Sequence, residues 1–366
     1  MNMKAGSIST LAPVASSKIE PAHDSRTMSL EPTQTARAFR RHWISALQLC
    51  GMVFLVAGLA APGWAQQNYP DRPLRLVLPF PPGGSTDILG RVVAQNLSER
   101  FGQPVIADNR PGLGGYYGLE MASKATPDGY TITIASLVYA SGPSVYRKMK
   151  FSPVRDLVPI GQLSEAPNLV VVNPGVPAKS LKELVDYVRA NPNKLHYATS
   201  GVGSTLHLSA AMLNNITKMD MVHVPYKGGG GPAMTAVLGG EVQVIVLGPA
   251  SVPHVLSGKA RGLAVLGEQR WALVPNVPTA REQGFDVVVT GWHGLMAPAG
   301  TPRVFIDRLN KEWVQIAAKP DVQERLRKLG FEPRPGTPKQ FETFLKTETE
   351  RWARLIKEIK MPAADD

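Results

Sequence analysis

The chain of 366 residues holds a single cysteine, Cys50, and it stands inside an uncharged, mostly apolar run from Ile44 to Pro62. A protein cut after that run has no thiol, which excludes disulfide staples, a cysteine nucleophile and cysteine metal ligands. A lipid anchor on Cys50 is not expected: Leu49 precedes it and the still-apolar Gly51-Met52-Val53-Phe54 follows. Other signatures are missing as well. His196, His207, His223, His254 and His293 are scattered, with no His-x-x-x-His or Glu-x-x-His pair to hold a metal. There is no Gly-x-Ser-x-Gly elbow. The glycine run Gly228 to Gly231 is not followed by the Lys-Ser/Thr of a phosphate loop, and Gly112-Leu113-Gly114-Gly115 has the wrong spacing for a dinucleotide fingerprint. Lysines and arginines are dispersed on helix faces rather than gathered in a stripe with aromatics, so no nucleic-acid partner is expected. No metal and no cofactor are implied.

Residues 1–36 are rich in Ser, Thr, Ala and Pro and show no sustained period. Arg37, Arg40 and Arg41 then flank the apolar run, which ends in Gly63-Trp64-Ala65 with small residues at the first and third positions. This pattern predicts a long leader and a secretory signal peptide cleaved after Ala65, hence export to the periplasm. The alternative is a membrane anchor, since the run approaches spanning length. Gly51, Gly58 and the small-residue end favour cleavage. The leader takes with it six Lys/Arg and three acids, leaving 34 bases against 26 acids, a net charge of +8. About 300 residues remain, ample for a core that needs no disulfide. A moderately basic exported surface suits anionic solutes or an anionic membrane face.

Short apolar segments alternate with amphipathic ones along the rest of the chain. Strands are expected at 74–78, 104–107, 130–135, 168–172, 195–198, 221–224, 242–247, 261–266 and 285–290. Helices are expected at 87–100, 115–125, 180–190, 204–215, 230–238, 251–257, 302–317, 321–329 and 338–360. The alternation argues an α/β architecture with largely parallel sheets, in two domains. In such sheets ligands sit beyond the carboxyl ends of strands, so the turns that follow strands carry the interest.

Two of those turns stand out. Leu74-Arg75-Leu76-Val77-Leu78 runs into Pro79-Phe80-Pro81-Pro82-Gly83-Gly84-Ser85-Thr86-Asp87 and then into a helical pattern. The glycines let the backbone turn sharply and approach a ligand. Ser85, Thr86 and Asp87 suit a helix start, where free N–H groups and the positive end of the dipole make an anion site. The second is Thr199-Ser200-Gly201-Val202-Gly203-Ser204-Thr205, again strand, glycine-rich turn, helix. One such turn alone reads as a capped loop; two suggest a clamp on a carboxylate or phosphate. Lys227 could add a charge or be simply solvated. His207 reads as a structural histidine, and Arg110 as a partner in a local salt bridge.

Together these segments resemble the periplasmic solute receptors of tripartite tricarboxylate transporters, the "Bordetella uptake" family. The matches are PFPPGGSTD (79–87), DNRPGLGG (108–115), PDGYT (127–131), VNPGVPAKSLKEL (172–184), YATSGVGST-LH (197–207), VHVPYKG (222–228), VPTAREQGF (277–285) and APAGTP (297–302). The resemblance covers roughly 69–366. It implies a type II periplasmic-binding-protein fold, two α/β domains joined by two crossing strands with a ligand cleft between them. The leader would take 1–65, the first domain 66–165 plus 292–366, and the second 166–291. The cleft would hold a small carboxylate at Phe80, Gly83, Gly84, Ser85, Thr86 and Asp87, and at Ser200, Gly201, Gly203, Ser204 and Thr205. Ser136, Val138, Tyr139, Leu247 and Gly248 would complete it.

The chain also departs from the family. Val246-Leu247 stands where Asp-Asn is frequent, and Tyr139 where a short polar residue is frequent. An amino or hydroxyl group on the ligand would lose an acidic partner at 246, and an unpaired polar group in a closed cleft is costly. The expectation is therefore an apolar or aromatic floor, with Tyr139, Trp292 and His293 lining it, and an aromatic carboxylate or a dicarboxylate with an apolar middle as ligand. The resemblance implies a non-catalytic monomer that delivers its ligand to a membrane permease. Two rivals differ in kind: a receptor reporting to a membrane kinase, and an exported enzyme using His207 or His293 as general base.

Overall fold

Apolar segments bounded by turn residues supply the strands. β1 (Leu74–Leu78), β2 (Val105–Asn109) and β3 (Thr131–Ala135) pair in parallel, with β1 in the middle. β4 (Leu157–Pro167) belongs to the same sheet, whereas β5 (Leu169–Val172) begins a second one. β6 (His196–Thr199), β7 (Val222–Pro225), β8 (Val244–Leu247) and β9 (Arg261–Val265) join β5 there, in the order β7-β6-β8-β5-β9. The chain then returns to the first sheet with β10 (Thr290–Pro298) and β11 (Glu332–Pro333), giving the order β11-β4-β10-β3-β1-β2. The computed structural model describes residues 69–361 apart from 147, 149 and 228, so the expected leader and the cleavage site at Ala65 lie outside the described residues. Both sheets belong to one compact unit, Asn68–Asp366.

The helices are α1 (Ser85–Phe101), α2 (Tyr116–Ser123), α3 (Leu137–Val145), α4 (Pro153–Asp156), α5 (Leu181–Ala190), α6 (Thr205–Thr217), α7 (Gly230–Gly239), α8 (Val252–Leu256), α9 (Arg303–Ala317), α10 (Pro320–Lys328) and α11 (Pro338–Glu358). Their ends follow local chemistry. The Ser180 side chain caps α5 by accepting from the Glu183 N–H, and Gly102 closes α1 at φ 65°. Thr337 and Gln340 form a reciprocal capping box at the start of α11. From there Phe341, Leu345, Trp352 and Ile356 repeat at helical spacing and are buried. Each such side chain contributes about 1.5–3 kcal/mol.

β4, β10 and α3 differ from the sequence expectation, as do the short α4 and β11, and so does the sheet type. The sheets are mixed: β10 runs antiparallel to β3 and β4, and β5 antiparallel to β8 and β9. The strand expected at 285–290 begins only at Thr290; Val289 N–H before it donates to Leu266 O (2.8 Å) outside any ladder. β4 carries Pro159 and Gly161, and β10 carries Gly291 and Gly294, which blur the apolar period. The two strands nevertheless pair from Thr290 with Pro167 to Pro298 with Leu157, and two register shifts absorb the irregularity. α3 contains Gly142 and Pro143, both poor helix formers. Gly142 is required there because a Cβ would stand 2.1 Å from Tyr116 Cε2.

α11 docks on the start of β10 through one carboxylate. Glu348 Oε2 accepts from both indoles, Trp292 Nε1 at 3.2 Å and Trp352 Nε1 at 3.1 Å. Gly294 lies under the same helix, where a Cβ would sit 2.0 Å from Phe341 Cζ. Gly294→Ala must displace the Phe341 ring, and overpacking of this kind costs about 1–3 kcal/mol. Urea denaturation should show a lowered midpoint with an unchanged slope; a wild-type midpoint would mean that α11 yields freely.

Candidate functional site

The turn after β1 is held by one buried acid. Asp87 Oδ2 accepts from the Gly83 N–H (3.0 Å) and from Arg91 Nε (3.1 Å), and Oδ1 accepts from Asn109 Nδ2 (3.0 Å). Asn109 Nδ2 also donates to Phe80 O at 2.9 Å. Burial pushes the Asp87 carboxyl up, but the bonds from Arg91, Gly83 and Asn109 outweigh it and hold the group below the usual carboxylate range. The acid therefore shapes the turn, and it lies behind the cavity wall. Gly84, the cap residue of α1, has no side chain to close the helix. The N–H groups of the first turn are left to the cavity that Gly84, Ser85 and Thr86 line.

The turn after β6 rests on two histidines. Gly203 N–H donates to His207 Nδ1 at 3.2 Å, and Gly201 N–H donates to Thr199 Oγ1 at 3.2 Å. Thr199 Oγ1 is 2.6 Å from His223 Nε2, and the two imidazoles stack 4.1 Å apart. Burial, with a smaller contribution from His223, pushes His207 down to about 3. A neutral ring is what the Gly203 bond needs, because Nδ1 must accept. His207 is thus a structural prop, and it does not line the cavity. Ser204 caps α6, with Oγ accepting from the His207 N–H and donating to Gly201 O.

The two turns converge with a third helix start. α7 begins at Gly230 behind Gly229, again without a side-chain cap. The cavity is enclosed by Phe80, Gly84, Ser85, Thr86, Ser136, Ala166, Asn168, Ser200, Thr205, Leu206, Gly230, Leu247, Gly248, Pro249, Gly291, Trp292 and His293. The cavity volume is about 60 Å³, room for about four waters or one small organic acid. No lysine, arginine, aspartate or glutamate is among these residues. An anion there is met by helix N-termini and hydroxyls instead of a cation.

The polar side chains on the wall have spare capacity. Ser136 Oγ, Ser200 Oγ and His293 Nδ1 are buried and unpartnered among the described residues. Nε2 of His293 lies 3.2 Å from Thr86 Oγ1, and burial pushes the ring down to about 4, so it is neutral. Native structures leave few buried polar atoms unpaired, and these three stand around one cavity.

Of the residues expected from sequence, Phe80, Gly84, Ser85, Thr86, Ser136, Ser200, Thr205, Leu247, Gly248, Trp292 and His293 are brought together. Gly83, Asp87, Gly201, Gly203 and Ser204 lie behind them and shape the turns, and Val138 is wholly buried in the core. Tyr139 is also behind the wall. It sits on an outer groove with Leu157, Lys339 and Glu342, and meets the cavity only through its edge contact with Trp292 at 6.5 Å. The aromatic wall is Phe80 and Trp292. Val246 is in the core beside Val170, so the missing acid at that position leaves the cavity unchanged. Lys227 is exposed and off the wall, and Arg110 pairs with Asp108 at 2.9 Å. Ala166, Asn168, Leu206, Gly230 and Gly291 were not expected. Asn168 carried a signal, a lone amide in Ala166-Pro167-Asn168-Leu169-Val170-Val171.

Known proteins resemble this chain over most of its described length. The model of the tripartite tricarboxylate transporter family receptor matches residues 89–361. BugT of Bordetella pertussis is 36% identical over 316 residues, covering 85% of this chain and 96% of that one. Rpa4515 of R. palustris, solved with adipate, superposes with a TM-score of 0.78 at 33% identity, covering 81% of this chain and 99% of that one. MatC of Rhodopseudomonas palustris, solved with malate, gives 0.75 at 32% identity, covering 79% and 100%. The fold is that of periplasmic binding proteins, and such proteins are solute receptors rather than enzymes. Among the described residues no helix is long and apolar enough to cross a membrane.

The buried histidines make stability depend on pH. His207 and His293 titrate near 3 and 4 in the folded chain, against about 6.5 when unfolded. As pH falls below about 6.5 the unfolded chain takes up protons that the native one refuses, so stability declines through this window. The melting temperature should drop steadily from pH 7 to pH 4.5, with a shallower slope in His293→Gln. Equal slopes in the two proteins would show that His293 titrates alike in the folded and the unfolded chain.

Proposed function

Because the chain belongs to the family of tripartite tricarboxylate transporter receptors, we propose that it captures a small dicarboxylate with an apolar middle in the periplasm and presents it to a membrane permease. One observation carries this reading: two helix starts without a side-chain cap, and a third that Ser204 caps only at the His207 N–H, meet at a cavity without a cationic side chain. The ends of a dicarboxylate would take the N–H groups, and its methylenes would lie against Phe80, Leu247 and Trp292. The adipate of Rpa4515 and the malate of MatC support the class. The small volume of the cavity favours an aliphatic ligand over an aromatic one. Residues 66–165 with 292–366 would form one lobe and 166–291 the other.

Contacts between the elements of the two sheets support a closed form. Ala250 N–H donates to Ser85 Oγ at 3.3 Å, and Ser141 Oγ donates to Gly203 O at 3.2 Å. The Tyr146 hydroxyl proton is shared between Leu113 O (2.6 Å) and Val202 O (2.7 Å). Gly114, at φ 61°, fits under this bridge because a Cβ would stand 2.7 Å from Val202 O. Ligand closes the lobes because only the closed form lets all three helix starts reach it.

Isothermal titration of the purified protein, unfolded and refolded to strip any retained solute, against aliphatic dicarboxylates of about four to six carbons tests the reading. At about 100 times the dissociation constant a ligand adds roughly 2.7 kcal/mol, visible as a melting shift. Gly114→Ala touches no lining residue, yet it should weaken binding about ten-fold by opposing closure. Silence across the carboxylates would end the proposal.

A further inference from the structure

Asn168 stands where the chain leaves β4 for β5, buried at 4% exposure and on the cavity wall. Its Nδ2 donates to Val289 O at 3.1 Å and to Ser209 Oγ at 3.3 Å. A backbone carbonyl can only accept, so the NH₂ end of the amide is fixed on that side. The oxygen is therefore turned the other way. Oδ1 lies 3.4 Å from where a Cβ of Gly248 would stand and 4.0 Å from that of Gly291, and both glycines line the cavity.

This gives the wall an acceptor that cannot become a donor. The helix starts offer N–H groups, and the hydroxyls of Ser136 and Ser200 can turn either way. Asn168 Oδ1 can only receive. A carboxylate oxygen placed against it sets acceptor against acceptor, and an apolar group leaves it buried and unpaired, which is unfavourable. A hydroxyl satisfies it. An ammonium would as well, but no acidic side chain lines the cavity to offset its charge.

We propose that Asn168 is a specificity-determining residue and that the preferred ligand is a hydroxy carboxylate, its hydroxyl donating to Asn168 Oδ1. This rests on the carboxylate reading above and amends its apolar middle: one carbon carries a hydroxyl toward Asn168, and the remaining methylenes keep the apolar wall. The tie to Val289 joins the two segments that cross between the sheets, and that structural duty uses only Nδ2.

Titration calorimetry on the purified protein compares matched pairs: lactate with propionate, malate with succinate, 2-hydroxyadipate with adipate. Within the pair that fits the cavity, the hydroxylated acid should bind about ten-fold tighter. Asn168→Ala should bring that ratio close to one, whereas a purely structural role would lower both affinities alike and keep the ratio. Ser209→Ala, which spares Oδ1 and the bond to Val289, should retain it. Equal affinities within the pair in the wild-type protein overturn the inference while leaving the carboxylate reading intact. Tighter binding of aspartate than of malate overturns it in favour of a cationic donor. Binding of no member of any pair removes the carboxylate reading and this inference with it.

Discussion

Backbone N–H groups at helix starts stand around the cavity where many anion sites place cationic side chains, and the architecture is what brings them together. A helix dipole acts over its first turn only, so several starts must be brought within a few ångströms of one point. α1, α6 and α7 each begin directly after a strand, at the carboxyl edge of a sheet, and the chain crosses between the sheets at Pro167–Leu169 and before Thr290 so that the edges face each other. Asp87 under the first turn and the His207–His223 stack under the second hold the loops in the shape that exposes those N–H groups.

The same constraint explains where side chains are absent. Backbones from the two sheets approach so closely that Gly114 and Gly229 have no room for a Cβ, the first against Val202 O at 2.7 Å and the second against Pro81 Cδ at 2.7 Å. No charged residue lines the cavity; its polar wall consists of the neutral His293 imidazole, hydroxyls and the Asn168 amide, whose Nδ2 is tied to Val289 O.

Much of the fold was legible from sequence because its strands are short and apolar and its helices have a clear face. α5 and α11 came out within a residue or two of their expected ends, since Ser180 and Thr337 are strong caps. β4, β10 and α3 were not legible. Each carries proline or glycine, and each is stabilised by a partner distant in the chain: β4 and β10 by each other, α3 by Tyr116 seated against Gly142. Local propensity holds no record of such partners.

By itself the sequence determined the glycine-rich turns, the helices that start from them, the absence of catalytic and metal-binding patterns, and the family. These are properties of short segments or of residues counted one by one, and spacing encodes them. Only the tertiary structure decided which side chains reach the cavity. Tyr139 and Trp292 are both aromatic, buried and in touch with each other, yet Trp292 alone is on the wall. Asn168 is one amide in an apolar run, and the direction of its side chain depends on a carbonyl at Val289, 121 positions along the chain. Orientation of that kind is set by hydrogen bonds and packing between elements that meet only after folding.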